Sequence, residues 1–218
     1  MLYEDLKTKL AEREAWVLRR QLGIPNNKRL FVLACMDERL PVNQALGINE
    51  GDAHVFRNAG GLVTDDALRS AMLTTQFFGT KEIIIINHTE CGMMSAKGDY
   101  LAQELEKRNI NIGAELLNPA LPELKLENQK ANFAKWIQMF DNVDDICEQQ
   151  VKLFKNSKLI PKDVAIHGYV WEVETMSLRR PHARLGEKVN TADQMKGITV
   201  CAKCGCLHKS ESECQCKV

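Results

Sequence analysis

A chain of 218 residues carrying 29 basic and 29 acidic side chains has no net charge and the size of one domain with an ordinary core. That balance excludes the basic excess of a nucleic-acid binder, and no apolar stretch approaches the roughly 20 residues needed to cross a bilayer. Met1-Leu2-Tyr3-Glu4-Asp5 lacks the basic and apolar segments of an export signal, so a cytoplasmic location is expected and the 8 cysteines point to metal binding rather than disulfides.

Apolar positions at Leu6, Leu10, Val17, Leu18 and Leu22, set among charges, predict an amphipathic helix over about 3–22, ended by Gly23 and Pro25. Leu30-Phe31-Val32-Leu33-Ala34 reads as a buried strand, followed by a short helix near Val42–Leu46. Ala53–Phe56 is a second strand leading into Arg57-Asn58-Ala59-Gly60-Gly61. Thr64 or Asp65 can cap a helix that runs through Phe78 and stops at Gly79. The apolar run Ile83-Ile84-Ile85-Ile86 centres a third strand, over 82–87. From 98 to 130, Pro119 and Pro122 argue for a loop; Phe133–Phe140 and Val143–Phe154 look helical, and Asp163–Val173 is a fourth strand. This alternation predicts an α/β fold with a mainly parallel four-stranded sheet core flanked by helices, preceded by an N-terminal helix and followed by a Cys-rich tail.

Two polar segments sit just past the apolar strands: Cys35-Met36-Asp37-Glu38-Arg39 and His88-Thr89-Glu90-Cys91. Parallel sheets bind ligands beyond the carboxyl ends of their strands, so two thiols and an imidazole would converge there. Cys35, His88 and Cys91 make a three-ligand zinc set that leaves the fourth tetrahedral position for water, the pattern of a catalytic site. Taken singly, each also fits a packing role. Asp37 and Arg39 share a face of an extended chain, where the guanidinium would keep the carboxylate ionised and oriented; the pair is also readable as an ordinary ion pair. Met93, Met94, Phe77 and Phe78 could line a pocket or fill the core. Gly60 and Gly61 permit close backbone approach near the metal or a plain turn, and His54, His167 and His182 are candidate proton shuttles or structural groups.

Cys35-Met36-Asp37-Glu38-Arg39, Arg57-Asn58-Ala59-Gly60-Gly61 and His88-Thr89-Glu90-Cys91-Gly92 together resemble the signature of the β-class carbonic anhydrase family, over roughly residues 25–175. The resemblance implies that Cys35, His88 and Cys91 bind zinc, that Asp37 and Arg39 form a catalytic dyad, and that the chain assembles as a homodimer or higher homo-oligomer. The expected organisation is a β-carbonic anhydrase-like zinc hydrolase domain over 1–180 and, where composition turns polar after Arg179-Arg180-Pro181, a Cys-rich tail over 181–218 that the resemblance does not reach. Ile24-Pro25-Asn26-Asn27, Thr64-Asp65-Asp66-Ala67, Phe77-Phe78-Gly79-Thr80 and Cys91-Gly92-Met93 are similar to the carbonyl sulfide and carbon disulfide hydrolases of that family.

The expected activity is therefore zinc-dependent hydrolysis of carbonyl sulfide to hydrogen sulfide and CO2 by metal-bound hydroxide. The alternatives are carbon disulfide hydrolysis, reversible CO2 hydration, or a non-catalytic zinc protein. The expected partner is a small linear triatomic molecule, with neither nucleic acid nor membrane. In the tail, Cys201, Cys204, Cys206, His208, Cys214 and Cys216 offer enough soft ligands for a second zinc, although their spacing is irregular for a zinc ribbon.

Overall fold

The computed structural model describes residues 22–113 and 129–183, with the backbone alone at 129–132, and the short backbone pieces 199–200 and 207–208. The helix expected over 3–22 and the six tail ligands fall outside the described residues, apart from the backbone of His208 and the exposed Leu22. The chain divides into two units, Met1–Pro181 and His182–Val218. Among the described residues no helix is long and apolar enough to cross a membrane.

In the first unit, β1 (Leu30–Cys35), α1 (Val42–Leu46), β2 (Ala53–Asn58), α2 (Asp65–Phe77), β3 (Glu82–His88), α3 (Gly98–Lys107), α4 (Gln129–Ile137), α5 (Val143–Asn156), β4 (Ala165–Glu172) and β5 (Ser177–Arg179) follow in chain order. They build a five-stranded sheet in the order β2-β1-β3-β4-β5. The first four strands are parallel and β5 runs antiparallel to β4. In the second unit β6 (Thr199–Val200) pairs antiparallel with β7 (Leu207–His208).

The continuous apolar run of β1 exists because both faces of the sheet are covered. All six of its residues are buried. Strand alternation splits them: Leu30, Val32 and Ala34 join Ile86, Leu40 and Val42 on one face, while Phe31 and Leu33 join Ile83, Ile85 and Ile166 on the other. Ala67 and Ala71 of α2 and Phe154 of α5 close that second face. Thr64 is the α2 cap, its hydroxyl accepting from the Ala67 amide, with Asp65 and Asp66 favourably placed in the first turn. Asn142 caps α5 by accepting from the amides of Asp144 and Asp145.

Three expectations need correction. The segment after residue 98 begins as α3 rather than a loop, packing Leu101, Ala102 and Leu105 against Phe133 and Ile137 of α4. Its start carries no capping signal, because Lys97 makes no side-chain cap and Gly98 is there for contact: a Cβ would lie 2.7 Å from the Ala134 Cα. Beyond the four expected strands the sheet gains β5, three residues long; Arg179 ties it to Glu172 (Nε to Oε1, 2.8 Å) and to Asp144 of α5. Phe77 and Phe78, at the end of α2, are exposed at 70% and 37% rather than filling the core, although the Phe78 ring meets His54 of β2 edge-on.

The turn after β2 brings main chain against main chain. Gly60 and Gly61 both have positive φ, and a Cβ on Gly61 would stand 2.8 Å from the Cys35 nitrogen and 3.0 Å from the Ile86 oxygen. Only glycine fits there. Buried Asn87 holds the turn in place, its Nδ2 donating to the Gly60 carbonyl at 2.6 Å. The carboxyl ends of β1, β2 and β3 are thus fixed against one another at the backbone.

Candidate metal centre

Cys35 is the last residue of β1 and His88 the last of β3, neighbouring parallel strands whose register sets Ala34 opposite Ile86. The chain then turns through Thr89 and Glu90 into Cys91, which precedes a short 3-10 turn over Gly92–Met94. One ligand atom from each of Cys35, His88 and Cys91 lies within 4.8 Å of the others, and all three residues are buried. The two sulfurs are 3.9 Å apart.

The His88 Nδ1 faces the Thr89 carbonyl at 2.8 Å, and because that oxygen only accepts, Nδ1 carries the proton. Nε2 is buried and has no hydrogen-bond partner among the described residues. An orphaned imidazole nitrogen beside two thiols is the donor set of a zinc site, and a backbone carbonyl on the other ring nitrogen is how metal-ligating histidines are oriented. The residues fit a metal ion. The hydrogen bond with Cys91 favours the Cys35 thiolate and lowers its pKa although burial opposes it; the same bond, with burial, drives the Cys91 thiol up. Burial works against charge on His88, but the Cys35 sulfur beside it and the ionised Asp37 outweigh that and raise its pKa.

Asp37 and Arg39 come together beside this cluster. Arg39 Nε donates to Asp37 Oδ1 at 3.0 Å and Nη2 to Oδ2 at 2.9 Å, while the Arg39 amide donates to Oδ1 at 2.9 Å. Held from three donors, Asp37 ionises far below the usual carboxylate range, with the Arg39 side chain the main cause. Asp37 Oδ2 stands 3.7 Å from His88 Nε2, so the carboxylate borders the space between the three ligand atoms.

All five residues singled out from the sequence therefore meet at one mouth of the sheet. The candidate shuttles on strands do not. His54 pairs with Phe31 and His167 with Ile84, each four positions before the strand-end ligand, or about 13 Å along the strand. His54 instead bonds Thr74 Oγ1 at 2.6 Å, His167 pairs with Glu82, and His182 belongs to the second unit. Met93 and Met94 are partly buried and pack against the core cluster that holds Cys91 and Phe140.

Two residues of the site were not read from the sequence. Arg57, next to last in β2 and opposite Ala34, spends its guanidinium on backbone carbonyls: Nε to Cys35 at 2.9 Å, Nη2 to Asp37 at 2.6 Å and to Leu40 at 3.2 Å. It holds the loop that carries Asp37 and Arg39, and its place in the Arg57–Gly61 motif was the available signal. Glu90 binds Arg39 from the ligand loop, Nη1 to Oε2 at 3.0 Å. Nothing local in the sequence marks that pairing, which spans 51 positions.

Comparison with known proteins agrees with this geometry. A carbonic anhydrase family model matches residues 30–178. A carbon disulfide hydrolase of Acidithiobacillus thiooxidans is 57% identical over 196 residues, covering 89% of this chain and 98% of that protein. Beta-carbonic anhydrase 1 of Mycobacterium tuberculosis is 34% identical over 157 residues, covering 72% of this chain and 84% of that one. Among solved structures, an apo form of carbon disulfide hydrolase superposes with a TM-score of 0.73 at 46% identity, over 84% of this chain and 93% of the other. A parallel sheet with a Cys-His-Cys group at its carboxyl edge, and relatives this similar over nearly their full length, lead to one conclusion: the chain belongs to the β-class carbonic anhydrase family of enzymes.

Proposed function

We propose that this chain hydrolyses the carbon–sulfur bonds of carbon disulfide and carbonyl sulfide at a zinc ion held by Cys35, His88 and Cys91. The observation that carries the reading is the convergence of three soft ligand atoms within 4.8 Å, bordered by an ionised carboxylate that a guanidinium holds in a fixed orientation. When bound there, zinc supplies a hydroxide nucleophile near neutral pH by lowering the pKa of water from about 15.7 to about 7.

The chain's own groups do the rest. His88 presents the Nε2 lone pair because Thr89 fixes its tautomer. Asp37, kept ionised by Arg39, accepts the nucleophile's hydrogen bond and turns its lone pair toward the substrate carbon. Arg57 and the Gly60–Gly61 turn keep the two loops at the spacing this requires.

Carbon disulfide, carbonyl sulfide and CO2 are all linear and uncharged, with an electrophilic carbon, so the site's chemistry suits all three. The names of the relatives at 46–57% identity, against 34% for the mycobacterial β-carbonic anhydrase, support the sulfur-bearing pair. One water converts carbon disulfide to carbonyl sulfide and hydrogen sulfide; a second converts carbonyl sulfide to CO2 and hydrogen sulfide. Carbonyl sulfide, the substrate expected from the sequence, is then the product of the first step and the substrate of the second. Assembly as a homodimer or higher homo-oligomer forms part of the same proposal.

The test supplies purified protein with each gas and follows sulfide and proton release separately. We expect two sulfides released per carbon disulfide, with carbonyl sulfide passing through a transient maximum. CO2 hydration without sulfide from either sulfur gas would overturn the substrate assignment, and no turnover of any gas would favour a non-catalytic zinc protein.

A further inference from the structure

Glu90 has a backbone conformation and a partner that its neighbours in the ligand loop do not share. Its φ is +53°, in the left-handed region where a non-glycine residue is strained. Its side chain is more than half exposed, at 57%, and the Arg39 side chain is exposed at 42%. An ion pair so open to water stabilises a fold little, less than the strained backbone costs. Stability therefore does not account for a glutamate at this position.

The geometry around Arg39 does. Two of the guanidinium's N–H groups go to Asp37, from Nε to Oδ1 and from Nη2 to Oδ2. Two more go to Glu90, from Nη1 to its Oε2 and from Nη2 to its main-chain carbonyl, each at 3.0 Å. Arg39 is thus gripped on two sides. Asp37 follows β1, and Glu90 lies between His88 and Cys91 after β3, so the guanidinium ties the loop carrying the carboxylate to the loop that joins these two ligands.

We infer that Glu90 is a positioning residue: by clamping Arg39 from the side away from Asp37, it fixes the orientation of the Asp37 carboxylate against the metal centre. The left-handed turn at Glu90 is what aims both its carboxylate and its carbonyl at the same guanidinium. Asp37 Oδ2 lies only 3.7 Å from His88 Nε2, so a small rotation of the carboxylate would carry it into the space between the ligand atoms. A guanidinium bound by Asp37 alone could turn with it on a long, half-exposed stem. One fixed at Nη1 and Nη2 by Glu90 cannot.

The inference rests on the proposed hydrolysis for its kinetic readout, and a second readout is independent of turnover. In full-length protein, Glu90→Gly is expected to lower kcat for carbon disulfide about tenfold while KM and metal content stay unchanged. The melting temperature should not fall, because glycine relaxes the left-handed backbone. Glu90→Gln, which keeps an acceptor oxygen for Arg39, should lose less. In an Asp37→Asn background the Glu90→Gly change should cost nothing further, since it acts through that carboxylate. Independently, nitrogen-15 spectra of the arginine side chains should show hindered rotation of the Arg39 guanidinium in the wild type and faster rotation in Glu90→Gly.

An unchanged kcat with unchanged Arg39 signals would overturn the clamp. So would a loss of rate that tracks lost metal or a lowered melting temperature, or one that adds fully to that of Asp37→Asn. If the wild type turns over none of the three gases and the Arg39 signals still respond to Glu90→Gly, the proposed function fails and the clamp stands.

Discussion

Cys35→Ser is expected to remove the metal and, with it, turnover, by about 10³-fold or more, because water without a metal reverts to a pKa of about 15.7. The substitution exchanges a thiolate for a hydroxyl at a buried position and leaves the loop's main-chain contacts at Cys35 in place. The Cys35 main chain is held by other groups: its carbonyl accepts from Arg57 Nε at 2.9 Å, and its nitrogen lies under the Gly61 turn. The fold should survive, so circular dichroism ought to stay close to that of the wild type while the metal assay falls, and the melting temperature should drop only to that of metal-free wild type. Cys147→Ala provides the control for a buried thiol lost elsewhere. Burial pushes the Cys147 thiol up to about 12, and its sulfur touches none of the three ligands, donating to the Tyr169 carbonyl and meeting the Asn87 backbone, so that variant should keep both metal and activity. A Cys35→Ser protein that retains stoichiometric metal at the site would remove Cys35 from the ligand set.

Asp37→Asn separates chemistry from metal binding. Asparagine keeps the shape and one acceptor oxygen but loses the charge and one half of the Arg39 bidentate pair. Metal content should be unchanged and kcat should drop by about 10²–10⁴-fold, the range for a positioned proton acceptor. The pH dependence gives a second check. Arg39 holds Asp37 far below the ordinary carboxylate range, so the carboxylate stays ionised from pH 6 to pH 9. The loss caused by Asp37→Asn should therefore be the same factor at pH 6 as at pH 9, and any acid limb in the wild-type profile must come from another group. A loss that vanishes toward pH 6 would mean that Asp37 titrates there and that the Arg39 pairing is weaker in solution.

How much of this was legible in the sequence follows from where each signal resides. β1 and β3 announce themselves because a strand buried on both faces must be apolar throughout, and the polar residues that interrupt each run are the ones the sheet delivers to its carboxyl edge. Five site residues were readable for that reason. β5 was not, since three half-buried residues carry no period and become a strand only by pairing with Val170–Glu172. α3 is not legible because no capping residue marks its start: Lys97 makes no side-chain cap, and Gly98 serves a contact with Ala134. His54 and His167 looked like shuttle candidates until register placed them toward the amino ends of the strands. Glu90 and Arg57 act across strands, on residues 51 positions away and 17 to 22 positions away, and such distances are set by the sheet order alone.

The most direct test of the account is to locate the metal. Anomalous scattering recorded on both sides of the zinc edge, from crystals of reduced, full-length protein, should give a peak about 2.3 Å from the sulfurs of Cys35 and Cys91 and about 2.0 Å from His88 Nε2, with Asp37 still paired to Arg39. Absence of zinc at that position, in protein that hydrolyses carbon disulfide at full rate, would contradict it.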